Sequence, residues 1–285
     1  MLKKITQIGG SLLLILISFY YTQKTIDIIK YNDPIMKTLV KSKDKYQVKS
    51  TNAKIKDNTI ISGINGKKVN LNESYKKMKR YGSYNDSLLV FREEKPTISI
   101  DDYYDKYIVG ANNTNNIALV FKVERADNID LVLDTLQNNN VNATFFIDGV
   151  FLENNQELVS DMSKTKHEIE ILNYDYNYQE KFFKSSLNIL ESITNIKPKY
   201  CYALYDQKQI IELCSKLLLH TVKPSIIATN NPFGDIKTRL VGGSIIGLEI
   251  NEVTIKQLNT IIDYIKQRGY TPVTIDVLLN EEQQK

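Results

Sequence analysis

Histidine is almost missing from this chain: His167 and His220 are the only two in 285 residues. Neither has a second histidine four residues away or across a short loop, the spacing a zinc-ligand set would show, so both are read as structural. Cysteine is equally scarce. Cys201 sits in a strand pattern and Cys214 on the apolar face of the helix that follows. The expectation is two separate buried thiols, with pairing as the alternative in an exported protein. Glycine-rich phosphate loops are lacking, which argues against the nucleotide-binding α/β folds. Charge of one sign is lacking too: 37 Lys and Arg stand against 33 Asp and Glu, a net +4. That excess is too weak for nucleic acid and allows only mild attraction to wall polymers or lipid head groups. With 42% hydrophobic and 25% charged residues, the composition is that of an ordinary globular protein.

Long apolar runs are limited to one. Ile8 to Tyr21 is apolar apart from small or hydroxyl residues, with Lys3 and Lys4 before it and Lys24 after it. Counted from Ile5 to Thr22 it approaches the roughly 20 residues a spanning helix needs. A cleaved signal has a similar apolar length, but Ser18 to Lys24 lacks the small-x-small pattern of a cleavage site, and Tyr20 and Tyr21 fit an interfacial belt. Residues 1–24 are therefore expected to be a single-pass membrane anchor with a cytoplasmic N-terminus and the remainder extracytoplasmic. Residues 25–56, lysine-rich and broken by Pro34, read as a stalk. Residues 57–115 read as a small α+β module: strand 60–64, an Asn65-Gly66 turn, a returning strand 67–71, and a basic helix 73–80 that Asn72 caps and Gly82 ends. The basic helix is taken as a solvated face.

From Asn116 the pattern changes to alternating strands and helices. Ile117 to Val123 and Ala143 to Ile147 are short apolar runs of the buried-strand kind. Between them Ile129, Val132, Leu133 and Leu136 recur at i, i+3, i+4, i+7, which makes a strand–helix–strand unit with a right-handed crossover. Similar stripes follow at Phe183, Leu187 and Leu190, at Ile210, Leu213 and Leu217, and at Leu258, Ile261, Ile262 and Ile265, the last helix opened by the capping box Thr254–Gln257. Repeated βα units of this kind predict a parallel α/β barrel over residues 116–280.

Several of these segments resemble the polysaccharide deacetylase (NodB-homology) family. Ala143-Thr144-Phe145-Phe146 matches that family's second strand. Lys166-His167-Glu168-Ile169 is similar to its Gly-His-Glu-Ile, Lys197-Pro198 to its Lys-Pro, and Gly269-Tyr270-x-Pro-Val-Thr to its closing strand. The resemblance implies the family's irregular (β/α) barrel and, in an intact member, hydrolysis of N-acetyl groups on glycans by a divalent metal held by one aspartate and two histidines, which lowers the pKa of a bound water.

The positions that would carry this chemistry are replaced. The base aspartate falls at Lys122 and the metal-binding aspartate at Val123. The histidine pair falls at Leu172 and Tyr176, the family's arginine at Tyr202, and the late histidine at Glu249. The family mechanism uses three histidines and the whole chain has two. No catalytic residue, metal ligand or cofactor is assigned. Glu124, Asp148, Asp175 and Glu249 could offer a rebuilt carboxylate site, although solvated loop carboxylates are the simpler reading. Tyr174, Tyr176 and Tyr178 alternate, so an extended backbone would aim all three to one side. With Tyr205 and Glu124 they form the candidate binding set, where aromatic faces could stack on sugar rings or simply fill the vacated cleft. The expected function is a catalytically inactive deacetylase-like protein of the cell membrane that binds envelope glycan or an envelope protein and no nucleic acid. The alternative is an active N-deacetylase or hydrolase on peptidoglycan or another envelope glycan, working through a rebuilt site.

Overall fold

The computed structural model describes residues 14, 16–22, 24–25, 28–112, 114–125 and 127–280. The chain forms two compact units: residues 1–49 with 66–94, and residues 50–65 with 95–285. These boundaries differ from the stalk and module read from the sequence. Part of the expected stalk is helix α1 (Pro34–Ser42), capped by Asp33, whose Oδ1 accepts the Ile35 amide at 2.8 Å. Its Met36 and Leu39 are fully buried. The i, i+3 pair was hidden among lysines that simply cover the outer face.

Beyond α1 the chain enters the larger unit for β1 (Lys54–Lys56) and β2 (Thr59–Ser62), then returns to the smaller unit for β3 (Gly66–Val69), α2 (Leu71–Tyr81) and β4 (Phe91–Glu94). The expected hairpin across Asn65-Gly66 does not form. β2 pairs with β1 and, in parallel, with a later strand, while β3 pairs antiparallel with β4. In the smaller unit Met36, Leu39, Val69 and Met78 make the core. Asn70 caps α2 by accepting the Glu73 amide, and Gly82 ends it in the left-handed region at φ +95°.

The larger unit continues with β5 (Tyr107–Ala111), β6 (Asn116–Val123), α3 (Ile129–Asn138), β7 (Thr144–Ile147), α4 (Gly149–Asn154), α5 (Gln156–Ser163), β8 (Glu168–Ile171) and α6 (Glu180–Thr194). After these come β9 (Tyr200–Tyr202), α7 (Lys208–Lys216), β10 (His220–Val222), β11 (Ile226–Ala228), α8 (Pro232–Arg239), β12 (Ile245–Glu249), α9 (Glu252–Gln267), β13 (Thr271–Val273) and α10 (Ile275–Leu279). The sheet runs β1-β2-β5-β10-β9-β8-β7-β6-β12-β11, and β13 pairs with the start of β6. All neighbours from β2 to β11 along this path are parallel, and the path is open at both ends, so the expected barrel is a curled sheet that does not fully close. An antiparallel bridge joins Gly110 to Ser244. It depends on Gly243 at φ +80°, where a Cβ would stand 1.8 Å from the Ala111 carbonyl oxygen.

Strand alternation sorts the core into layers. Ile117, Leu119, Phe121 and Val123 of β6 pack with the stripes of α3 and α9. Ala118 and Val120 face the other way, into the concave side with Phe146, Leu172, Tyr200, Tyr202 and Ile245. A third cluster under α6 and α7 contains both cysteines. Here the sequence reading needs correcting: Cys201 and Cys214 are joined as a disulfide, with Cα atoms 6.5 Å apart. The outward face of β9 meets the inward face of α7, and two residues assigned to separate elements become neighbours.

The expected anchor, residues 1–24, lies mostly outside the described residues. Residues 14, 16–22 and 24 are helical and exposed, and among the described residues no helix is long and apolar enough to cross a membrane.

Candidate functional site

The site positions gather where β6, β7, β8, β9 and β12 end. Lys122 stands in register with Glu249 of β12 and Phe146 of β7, on the concave side. Its side chain is only 17% exposed, and its Nζ lies 3.3 Å from Glu124 Oε2 and 3.6 Å from Glu249 Oε1. Tyr176 completes the group: its hydroxyl donates to Glu124 Oε1 at 2.8 Å. That bond, followed by partial burial, pushes the phenol up to about 12. An ammonium flanked by two carboxylates thus occupies the strand end, so the cation there belongs to the chain itself.

The other replaced positions do not offer donors. Val123 faces the helix layer and is 1% exposed, whereas Leu172 lies in the concave cluster, its amide bonded to the Ile147 carbonyl. Tyr202 is buried against Phe146, with ring centroids 5.2 Å apart, and burial drives its phenol well above the usual range. An aliphatic pair on opposite faces of the sheet, a lysine and two phenols are not a donor set for zinc. Among the described residues no three His, Cys, Asp or Glu side chains converge as a metal site.

Three of the four carboxylates that could have rebuilt the site, Glu124, Asp148 and Glu249, are engaged by the chain. Asp148 caps α4: Oδ1 accepts the amides of Val150 and Phe151 at 2.9 and 3.3 Å, and Oδ2 accepts the Asp175 amide at 2.7 Å. Burial nevertheless raises its pKa, the amide bonds opposing. Asp175 is an exposed turn residue, and Glu249 is held by Lys122.

The tyrosine row needs correcting as well. Asp175 and Tyr176 have positive φ, 46° and 56°. The Asn177 amide closes a turn on the Tyr174 carbonyl, and Asn173 Oδ1 accepts the Tyr176 amide. A turn sends three alternating side chains in three directions. Tyr174 stacks on Phe182 at 4.8 Å and donates to Glu153; Tyr178 packs, half-buried, against the cluster under α6. Only Tyr176 and Tyr205, 62% and 63% exposed, present their rings to solvent. Two clefts open near these strand ends, and Tyr176 lines the first of them. One of about 480 Å³ lies between Glu124, Asp148 and Tyr176, the other of about 370 Å³ between Lys122, Asn128 and Glu249, and Arg125 lines both. Arg125 was not singled out from the sequence. Its place directly after Glu124, where the strand meets the mouth, was the available signal.

Both histidines are held by packing. His167 Nδ1 accepts the Ala143 amide at 3.2 Å and the ring meets Phe145 edge-on. His220 stacks on Tyr104 at 4.3 Å. Burial lowers the pKa of each. A further pair at the opposite end of the strands escaped the sequence reading. Glu168 Oε2 accepts the Thr144 hydroxyl at 2.6 Å and the Asp276 amide at 3.1 Å, while Glu170 Oε2 accepts the amides of Lys199 and Tyr200, each at 3.0 Å. Burial pushes Glu168 up to about 7 and raises Glu170 as well, the neighbouring carboxylate adding to the effect. Period-2 alternation in Glu168-Ile169-Glu170-Ile171 would have placed both carboxylates on the concave face.

Comparison with known proteins agrees with this geometry. Residues 110–209 match the family model described as polysaccharide deacetylase. A Bacillus subtilis (strain 168) protein, uncharacterised protein YlxY, is 27% identical over 285 residues, covering 90% of this chain and 87% of its own. The crystal structure of BA3943 from Bacillus anthracis, described as a CE4 family pseudoenzyme, superposes with a TM-score of 0.68 at 19% identity, over 89% of this chain and 97% of that one. A BA3943 mutant described as having restored enzymatic activity gives the same score and identity. Bacillus subtilis PdaA, a family 4 carbohydrate esterase, superposes at 0.53 with 21% identity, over 64% of this chain and 88% of that one. These likenesses establish the fold. With the motif matches and the replaced donors they lead to one description: residues 110–209 match the polysaccharide deacetylase model, and the chain resembles a degenerate (NodB-homology) member of that family.

Proposed function

We propose that this protein is a catalytically inactive, membrane-anchored deacetylase-like protein that binds envelope glycan outside the cytoplasm. The observation that carries the reading is Lys122 held between Glu124 and Glu249, with Tyr176 closing on Glu124. A metal-hydroxide mechanism needs donors and an open position at this point. The chain supplies a cation of its own and phenol or aliphatic groups in their place. Binding outlives catalysis because the mouth keeps two clefts and two exposed aromatic rings that can stack on sugar faces. The description of BA3943 as a pseudoenzyme favours the same reading. Export is supported by the disulfide, since such bonds persist in oxidising compartments. Anchoring is supported by the apolar run Ile8–Tyr21, of which Leu14, Leu16, Ile17, Phe19, Tyr20 and Tyr21 are exposed.

The test is co-sedimentation of the purified chain with insoluble peptidoglycan, alongside an assay for released acetate and elemental analysis. Saturable binding is expected, with no acetate and no stoichiometric zinc, cobalt or nickel after dialysis. Tyr176→Ala and Tyr205→Ala should each weaken binding by about 2- to 12-fold, the equivalent of a stacking contribution of roughly 0.5–1.5 kcal/mol. Because both rings are mostly exposed, melting temperatures should hold steady. Acetate release, or one equivalent of bound metal, would refute the inactive reading; glycan binding that ignores both tyrosines would refute the platform.

A further inference from the structure

The net charge of +4 conceals a separation. The smaller unit, residues 1–49 and 66–94, holds 16 Lys and Arg against 7 Asp and Glu, a net +9. The larger unit holds 21 against 26, a net −5. Within the smaller unit Asp33, Glu73 and Glu94 are already paired with Lys79, Lys76 and Lys68. Lys37 and Lys41 on α1, Lys77 and Arg80 on α2, and Arg92 on β4 are exposed and make no ion pair among the described residues. The same unit contains a cleft of about 410 Å³ lined by Lys43, Lys68, Arg92, Gln47, Asn70 and Asn72, with no carboxylate in its wall. Cations and amide donors around a hollow without acid are the chemistry that receives a phosphodiester.

We propose that this unit is a membrane-surface module that binds the anionic headgroup layer of a phospholipid bilayer, with lipid phosphate seated in that cleft. The inference rests on the membrane placement proposed above. A lipid surface is favoured over a soluble polyanion because the unit also carries the apolar residues Leu14, Leu16, Ile17, Phe19, Tyr20 and Tyr21, all exposed. An apolar segment together with a basic patch is the two-signal arrangement that holds proteins stably at membranes. A basic residue close to an anionic bilayer contributes about fivefold in partitioning, and salt screens that contribution within a Debye length.

The full chain would be mixed with phosphatidylcholine vesicles, with or without about a third phosphatidylglycerol, and sedimented at low and high salt. Partitioning onto the anionic vesicles is expected to exceed that onto neutral ones by at least about tenfold, the preference vanishing near 0.5 M salt. The combined Lys43→Gln, Lys77→Gln, Arg80→Gln and Arg92→Gln variant should lose the preference while keeping the salt-insensitive binding to neutral vesicles that an anchor provides. All four side chains lie outside the buried core, and an independent Lys37→Gln, Lys41→Gln variant should lower the preference in part. Equal partitioning onto both vesicles, or a quadruple variant that retains the preference, overturns the proposal. Preference for anionic vesicles without any neutral-vesicle binding supports the headgroup site and removes the anchor instead. Displacement from anionic vesicles by soluble polyglycerol phosphate at equal phosphate concentration overturns the lipid assignment in favour of a wall polymer.

Discussion

Replacing Glu168 and Glu170 by glutamine should change how stability depends on pH, and the structure sets both sign and size. Each carboxyl sits in the concave side of the sheet with a pKa raised chiefly by burial, Glu168 from 4.5 to about 7. A carboxyl whose folded pKa lies above its unfolded value contributes stability that is complete below the unfolded value and is lost as pH rises through the folded one. For Glu168 alone the rise corresponds to about 3 kcal/mol between pH 4.5 and a little above 7, at about 1.4 kcal/mol per pH unit. In a unit of about 200 residues that is a fall of roughly 6–12 °C in melting temperature. His167 and His220, whose pKa values burial lowers, act with the opposite sign and lose stability as pH falls below 6.5. The difference between variant and parent therefore isolates the carboxyls. Glutamine keeps an oxygen to accept the Lys199 and Tyr200 amides and removes the charge. Circular-dichroism melts from pH 5 to 8 at fixed ionic strength should show the parent losing melting temperature as pH rises and the double variant flat or rising. Parallel curves for the two proteins would refute the placement of these carboxyls.

Lys122→Met should destabilise the larger unit by about 1–2 kcal/mol, because it leaves Glu124 and Glu249 facing each other without a cation, and added salt should shrink the loss in urea titrations. Lys122→Asp restores the family residue and should still bind no zinc by elemental analysis, since Val123, Leu172 and Tyr176 provide no donors. Cys201→Ser with Cys214→Ser should cost about 2–3 kcal/mol, the expectation for a crosslink closing a loop of thirteen residues. Thiol titration of the denatured, unreduced parent should find no free thiols; two would contradict the pairing.

The curled α/β sheet was legible in the order of residues because its determinants are local. Parallel strands buried on both faces write continuous apolar runs such as Ile117–Val123, and their crossover helices write 3.6-residue stripes such as Leu258 to Ile265. The replacement of the ligand residues that the resemblance implies was legible too: two histidines cannot fill three positions, whatever the fold. What the sequence could not specify depends on which elements meet. The Cys201–Cys214 bond follows from β9 facing α7, and the union of residues 50–65 with 95–285 follows from β2 pairing with β5 across more than forty intervening residues. The tyrosine row failed for a backbone reason, since left-handed φ at Asp175 and Tyr176 cancels the alternation an extended strand would keep. The ammonium between Glu124 and Glu249 is the clearest case. A lysine in place of an aspartate reads in sequence only as a loss, and it becomes the local cation because the β6–β12 register brings Glu249 alongside it. Identity at each position was set by the chain, but partnership between positions far apart was set by the sheet.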